Sequence, residues 1–134
     1  MKKLYPEVKI IFGGHSVPKN SSFLDKYDFI DYLVHNEGEE TVVRFFKELA
    51  SGNSLENVPN LSFRNGHKNI TTQEYHPSDI SSYPSPYTSG IFDHLMKEFP
   101  NIEFHATLET NRGCPYDCAY CEWCFTRKIR TFPM

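Results

Sequence analysis

The chain has 134 residues, a formal net charge of -3 and a sequence pI near 6.0. Its apolar content allows a globular core, and its charge balance excludes a broad basic surface for nucleic acid or an anionic membrane. We expect a small basic cluster, Arg127, Lys128 and Arg130, to be a solvated face. No secretory signal is recognisable, and no run reaches the roughly 18 apolar residues of a membrane span. The composition therefore favours a cytoplasmic protein with no nucleic-acid or membrane partner.

The first half of the sequence predicts strands alternating with helices. Val8–Phe12 and Phe29–Val34 are short, mostly apolar runs typical of buried strands, and the segment between them is a short helix or a loop. Apolar residues at helical spacing over 42–50, closed by Gly52, predict a helix whose first turn carries acidic residues. This order favours a parallel sheet covered on both faces in an α/β domain. A doubly wound domain carries about five strands, so we expect only the later part of one.

The second half predicts a hairpin, a connector, a helix and a strand. Asn65-Gly66 predicts a tight turn between strands at 61–64 and 68–71, a hairpin that we expect to be a structural appendage. Proline and serine between residues 76 and 89 favour an extended connector. Periodicity then predicts a helix over 91–99 and an alternating strand over 102–109. The predicted parts are thus a first domain over 1–75, a linker over 76–89 and a second domain over 90–134.

All four cysteines lie within residues 114–124, which is poor geometry for a disulfide framework and good geometry for metal in a reducing compartment. Cys114, Cys118 and Cys121 have the spacing C-x3-C-x2-C. Three thiolates from one loop can hold a 4Fe-4S cluster at three irons and leave the fourth open to a small molecule. Two alternatives remain. Cys124 could close a four-cysteine electron-transfer cluster, or the loop could bind zinc, although structural zinc usually takes two separated ligand pairs.

The cysteine loop, with its Arg-Gly-Cys-Pro lead-in and Tyr120 before the last cysteine, resembles the radical S-adenosylmethionine (SAM) superfamily. The resemblance implies that Cys114, Cys118 and Cys121 bind the 4Fe-4S cluster and that Tyr120 packs near the adenine of SAM. It also implies that the loop follows the first strand of a β/α barrel. The implied chemistry is reductive cleavage of SAM to a 5′-deoxyadenosyl radical, with electrons from a reductant such as flavodoxin or ferredoxin.

The first half is similar to the latter part of the cobalamin-binding domain that precedes the barrel in one radical SAM subgroup. The resemblance is carried by Gly13-Gly14 after the first strand, by the second strand and by the acidic helix start that follows it. Gly13 and Gly14 would let the backbone approach the nucleotide tail of cobalamin. Two departures are visible: the chain has no Asp-x-His-x-x-Gly motif, whose histidine can ligate cobalt, and Asn36-Glu37-Gly38-Glu39 replaces the more usual Gly-Glu-Gly-Glu.

Together the resemblances predict a fragment of a cobalamin-type radical SAM enzyme, with little or no turnover by this piece alone. Its fold class is α/β: the C-terminal part of a Rossmann-like (flavodoxin-like) cobalamin-binding domain, a linker, and the first strand and cluster loop of a truncated β/α barrel. The implied reaction is methyl transfer to an unactivated carbon of a small-molecule or peptide substrate, or else a cyclisation. The alternative is a non-catalytic four-cysteine iron-sulfur or zinc-binding module. No catalytic side chain is assigned.

Overall fold

A computed structural model of the chain describes residues 2–77, 79–116, 118–121 and 128–132. The chain divides into two units, the first ending at His76 and the second beginning at Pro77. The identities predicted for the two domains and for the linker stay predictions. Among the described residues, no helix combines the length and the apolar character needed to cross a bilayer.

The first unit is an α/β structure built on a mixed sheet of four strands in the order β1-β2-β3-β4. β1 and β2 are parallel, whereas β2 with β3 and β3 with β4 are antiparallel. The α/β prediction is confirmed, and the prediction of a parallel sheet is wrong beyond the first strand pair. In chain order the elements are β1 (Ile11–Phe12), α1 (Ser22–Lys26), β2 (Tyr32–Val34), α2 (Glu39–Ala50), a 3-10 turn (Leu55–Asn57), β3 (Leu61–Asn65) and β4 (Lys68–Thr71).

The predicted hairpin, formed by β3 and β4, belongs to the main sheet. Gly66 has a φ of 60° in the turn, as a tight hairpin connection requires. The tight turn makes β3 and β4 antiparallel, and β3 then pairs on its other edge with β2, Tyr32 opposite Phe63. The expectation of a structural appendage is therefore wrong, because the first three residues of β3 are buried at the middle of the sheet.

Side chains from β2 enter the core on both faces of the sheet, because consecutive strand residues point in opposite directions. On one face, α2 covers a buried cluster around Val34 and Phe45. On the other face, Leu33 packs with Leu24 of α1 and with Ile30. The helix predicted over 42–50 is confirmed. It begins at Glu39 and carries acidic side chains in its first turn, as predicted.

Arg64 of β3 ties the sheet to the segment around α1. Its guanidinium donates hydrogen bonds to the carbonyl oxygens of Leu24, Tyr27 and Ile30. The last carbonyls of a helix have no partner within the helix, and a charged donor forms strong hydrogen bonds with them. This contact explains how α1, with five residues, forms at all, since a helix of that length is unstable alone.

The second unit contains one helix and a two-stranded ribbon. The helix, α3 (Asp93–Glu98), confirms the prediction of a helix over 91–99 with shorter ends. The ribbon consists of β5 (Asn111–Arg112) and β6 (Arg130–Thr131), which are antiparallel. In the described part of the chain, these two strands pair only with each other.

The prediction of a strand over 102–109 is wrong. Residues 102–109 form no helix or strand and are exposed throughout. Alternating apolar residues form a strand only where a neighbouring strand completes the hydrogen bonds and another layer covers the apolar face. Instead, the backbone of Thr107 exchanges hydrogen bonds with the hydroxyl of Tyr87, at 3.0 and 3.2 Å.

Candidate cofactor sites

Gly13 and Gly14 follow β1 at the edge of the sheet where the parallel strands β1 and β2 both end. A Cβ atom at Gly13 would stand 3.6 Å from the Cβ of Val34, an ordinary packing distance. Gly14 differs in two ways: its φ is +96°, and a Cβ atom there would meet no atom within 4 Å. The backbone at Gly14 therefore adopts a conformation that favours glycine and leaves open space for a ligand to approach. The predicted cofactor-binding role of both glycines stays a prediction.

The loop after β2 lies beside the glycine loop. Asn36 has a φ of 54°, a left-handed conformation in which asparagine is the commonest substitute for glycine. Asn36 stands at the first position of the motif, where glycine is more usual, and asparagine is a residue that tolerates this backbone conformation. A Cβ atom at Gly38 would lie 3.6 Å from the Cγ1 atom of Val34. A Cβ atom at Gly13 or at Gly38 would meet the same side chain, that of Val34, so the two loops lie close to one residue of β2.

His35 is a buried residue that the sequence analysis did not single out. It directly follows β2, is 5% exposed, and its backbone N–H donates to the carbonyl of Asn60 at 2.8 Å. Its Nε2 atom lies 2.7 Å from Oγ of Ser62, and that oxygen lies 2.8 Å from Oγ1 of Thr71. The only usable signal in the sequence was its place at the end of an apolar run, where a buried strand continues.

The second ring nitrogen of His35, Nδ1, has no hydrogen-bond partner of normal geometry among the described residues. Burial lowers the pKa of His35, and the nearby Pro18 carbonyl and Glu74 carboxylate oppose that shift without cancelling it. The ring is therefore neutral at physiological pH. A neutral imidazole beside a chain of two hydroxyl groups is stable in a buried setting because no charge has to be desolvated.

We expect the first unit to lose stability in acid because of His35. Its pKa is lowered in the folded chain, so between the unfolded pKa of about 6.5 and the lower folded pKa the unfolded chain binds the extra proton. The free energy of unfolding should fall as pH drops through that window. His35→Gln should flatten this part of the pH profile, measured by urea unfolding, whereas His67→Gln, at the exposed hairpin turn, should leave it unchanged. An equal slope in both variants would contradict the assignment.

The cysteine segment, residues 113–121, leaves β5 through Gly113, whose φ is 94°. Cys114 is half-buried and Cys118 and Cys121 are exposed, and all three are thiols outside any disulfide. The backbone N–H of Cys121 donates to the carbonyl of Cys118 at 3.0 Å, which forms a turn between two of the predicted ligands. Among the described residues, no three His, Cys, Asp or Glu side chains stand close enough together to hold a metal ion.

The donor set nevertheless suits an iron-sulfur cluster chemically, since three thiols from one short segment are the soft ligands that such clusters use. Two of the three lie at the surface, where a loop can rearrange around an incoming cluster. The assignment of Cys114, Cys118 and Cys121 as ligands stays a prediction. Cys124, on which the closed-cluster alternative depends, lies outside the described residues.

Tyr120 is 91% exposed. It is therefore not a core residue of the second unit. An exposed aromatic ring between two cysteines is available to stack on a planar ligand. That role also stays a prediction.

Two arginines of the ribbon, Arg112 and Arg130, make contacts that the sequence did not predict. Arg130 is 7% exposed and donates from Nη1 to the carbonyl of Pro77 at 2.8 Å, so the expectation of a solvated basic face is wrong for this residue. Lys128 is exposed as expected, and Arg127 lies outside the described residues. Arg112 contacts Glu109 and two aromatic rings. Its only signal in the sequence was its place two residues before Cys114.

Comparison with known proteins identifies relatives of the whole chain. It is 35% identical over 129 residues to a 2-(S-pantetheinyl)-carbapenam-3-carboxylate methyltransferase of Streptantibioticus cattleyicolor, a match to 92% of this chain and 19% of the relative. It is 34% identical over 133 residues to the cobalamin-dependent radical SAM methyltransferase TokK of Streptomyces tokunonensis, with the same coverage, 92% and 19%. An anaerobic magnesium-protoporphyrin IX monomethyl ester cyclase of Synechocystis is 27% identical over 124 residues, 90% of this chain and 24% of that protein.

The chain spans between 19% and 24% of the length of these relatives. No protein-family model matches it. Each of these matches covers at least 90% of the chain. The chain is a homologue of the cobalamin-dependent radical SAM methyltransferases and of related radical SAM enzymes, as its sequence motifs predicted.

Proposed function

We propose that this chain contributes the later part of a cobalamin-binding domain and the cluster loop of a radical SAM enzyme whose reaction is methyl transfer. The observation that carries the proposal is the C-x3-C-x2-C segment in a chain whose relatives include a protein named as a cobalamin-dependent radical SAM methyltransferase. Cyclisation is the second reaction, because another relative is named as a cyclase. The substrate is a small molecule or a peptide, and the electrons come from a reductant such as flavodoxin or ferredoxin.

One edge of the sheet in the first unit supports the assignment of a Rossmann-like domain. In open α/β sheets, ligands bind outside the carboxyl ends of parallel strands. The parallel strands β1 and β2 end at Gly13-Gly14 and at His35-Asn36 respectively. Gly14, with its open surface and positive φ, and Asn36, whose backbone is left-handed, suit a site where backbone approaches a ligand. Gly13 and Gly14 would hold the nucleotide tail of cobalamin there.

In the second unit, Cys114, Cys118 and Cys121 would bind a 4Fe-4S cluster as thiolates. When bound, such a cluster supplies an electron and one open iron site for SAM. Tyr120, exposed beside Cys121, would stack on the adenine ring of SAM and orient it. These residues bind and orient the cofactors, and the chemistry belongs to the cofactors themselves.

The proposal is tested by anaerobic reconstitution of the intact chain with iron and sulfide, followed by electron paramagnetic resonance of the reduced sample with and without SAM. We expect a cluster whose spectrum changes when SAM is added, because SAM takes the iron that has no cysteine ligand. Preferential binding of zinc, or a cluster whose spectrum ignores SAM, would overturn the proposal and favour the non-catalytic module. 5′-Methylthioadenosine, which lacks the amino and carboxylate groups of SAM, serves as the control for non-specific nucleoside effects.

A further inference from the structure

The two strands of the ribbon flank the cysteine segment in the sequence. β5 directly precedes Gly113, and β6 follows Cys121 with Arg112 opposite Arg130 in its register. One further hydrogen bond extends the pairing, from the backbone N–H of Phe132 to the carbonyl of Thr110 at 3.1 Å. The ribbon therefore fixes the position at which the cysteine segment begins.

Arg112 contacts a carboxylate and two aromatic rings near this ribbon. Its Nε atom donates to the carboxylate of Glu109 at 2.9 Å. Its guanidinium carbon lies 5.3 Å from the ring centre of Phe132, which follows β6, and 6.0 Å from that of Tyr83. The side chain is 18% exposed. A partly desolvated guanidinium at these distances gains cation–π attraction from both rings, so Arg112 links β5 to the residue after β6.

These contacts involve a carboxylate and aromatic rings, so they need no metal. Ordering a segment to bring three thiols onto one cluster costs conformational entropy, and a loop whose ends are already fixed has less entropy to lose. A ribbon formed before metal binding would therefore make assembly of the ligands easier. Lysine could keep the charge but not the planar stacking of the guanidinium.

We propose that Arg112 is a positioning residue for the cysteine ligands: it holds β5 against β6 and thereby sets how Cys114 enters the cluster site. The inference rests on the proposed function, since it concerns loading of the cluster. It assigns a role to a residue that touches neither substrate nor cofactor. The role is separable from a general structural one, because it should affect the ribbon of the metal-free chain and the loading rate while leaving hydrogen exchange in α3 of the same unit unchanged.

The test compares the intact wild-type chain with Arg112→Lys. Hydrogen exchange of the metal-free chain reads the backbone N–H of Phe132, and anaerobic reconstitution with iron and sulfide gives the rate of cluster formation by absorbance. Lysine keeps the charge but loses the planar stacking, so the ribbon should open about fivefold more often. We therefore expect about fivefold faster exchange and about fivefold slower loading. Glu109→Gln, which removes only the ion pair, should move both readouts less in the same direction.

Arg44→Lys is the matched control, because Arg44 also combines an ion pair, 3.2 Å from Glu40, with an aromatic contact, 5.7 Å from the ring centre of Tyr75, in the first unit. It should change neither readout. Unchanged exchange at Phe132 in Arg112→Lys would overturn the inference, as would faster exchange with wild-type loading. Both of these outcomes leave the proposed function intact. A wild-type chain that takes up only zinc would overturn the proposed function and the inference with it.

Discussion

Replacing Cys118 by alanine is expected to abolish cluster binding by the chain. A cluster held at three irons by three thiolates loses a third of its protein ligands with this change. The side chain of Cys118 is exposed, so its removal should not disturb folding. Iron analysis after anaerobic reconstitution should fall from about four irons per chain to the background of a chain that was never reconstituted, and the far-ultraviolet circular dichroism spectrum should stay unchanged.

Cys124→Ala is the matched control for this prediction, since it removes one thiol from the same region of the sequence. If three cysteines suffice, the Cys124→Ala chain should take up the cluster and keep its spectral response to SAM. If Cys124→Ala loses the cluster as completely as Cys118→Ala, the site is a closed four-cysteine cluster. That result would leave no open iron for SAM and would contradict the proposed function.

The sequence correctly predicted the helices and turns that short stretches of sequence determine. The acidic first turn, the helical spacing and Gly52 predicted α2, and Asn65-Gly66 predicted the hairpin between β3 and β4. The strand predicted over 102–109 failed because a strand depends on a neighbour that its own sequence does not specify. The mixed sheet was missed for the same reason, since the pairing of β2 with β3 joins residues about thirty positions apart, beyond the reach of periodicity.

The residues of the candidate sites also divide into those that the sequence predicted and those that it missed. Cys114, Cys118 and Cys121 were found because the spacing of metal ligands is itself a sequence pattern. His35, Arg112 and Arg130 were missed because their roles depend on burial and on partners such as Ser62 and Phe132, which come together only in the folded chain. Asn36 shows a third case. In the sequence it was a departure from the usual motif, yet its backbone φ of 54° lies in a region that glycine also adopts readily.

Phe45→Ala is expected to remove a large part of the stability of the first unit. Phe45 is 1% exposed, packs in the cluster with Val34 and Leu61, and its ring centre lies 4.7 Å from that of Tyr32. Truncating a buried phenylalanine costs about 4 kcal/mol, through lost burial and the cavity left behind, and a small domain has only 5 to 15 kcal/mol in total. Urea unfolding followed by circular dichroism should show a correspondingly lower midpoint.

The next residue on α2 provides the control for Phe45. Phe46 is 55% exposed and its ring centre lies 5.2 Å from that of Phe45, so Phe46→Ala deletes the same atoms without opening a buried cavity. We expect it to cost about 0.5 kcal/mol. Equal costs at both positions would mean that α2 does not cover the sheet through Phe45. Val34, which packs against Phe45, also contacts the positions of Gly13 and Gly38, so the loss of Phe45 should loosen both loops at the candidate cobalamin site.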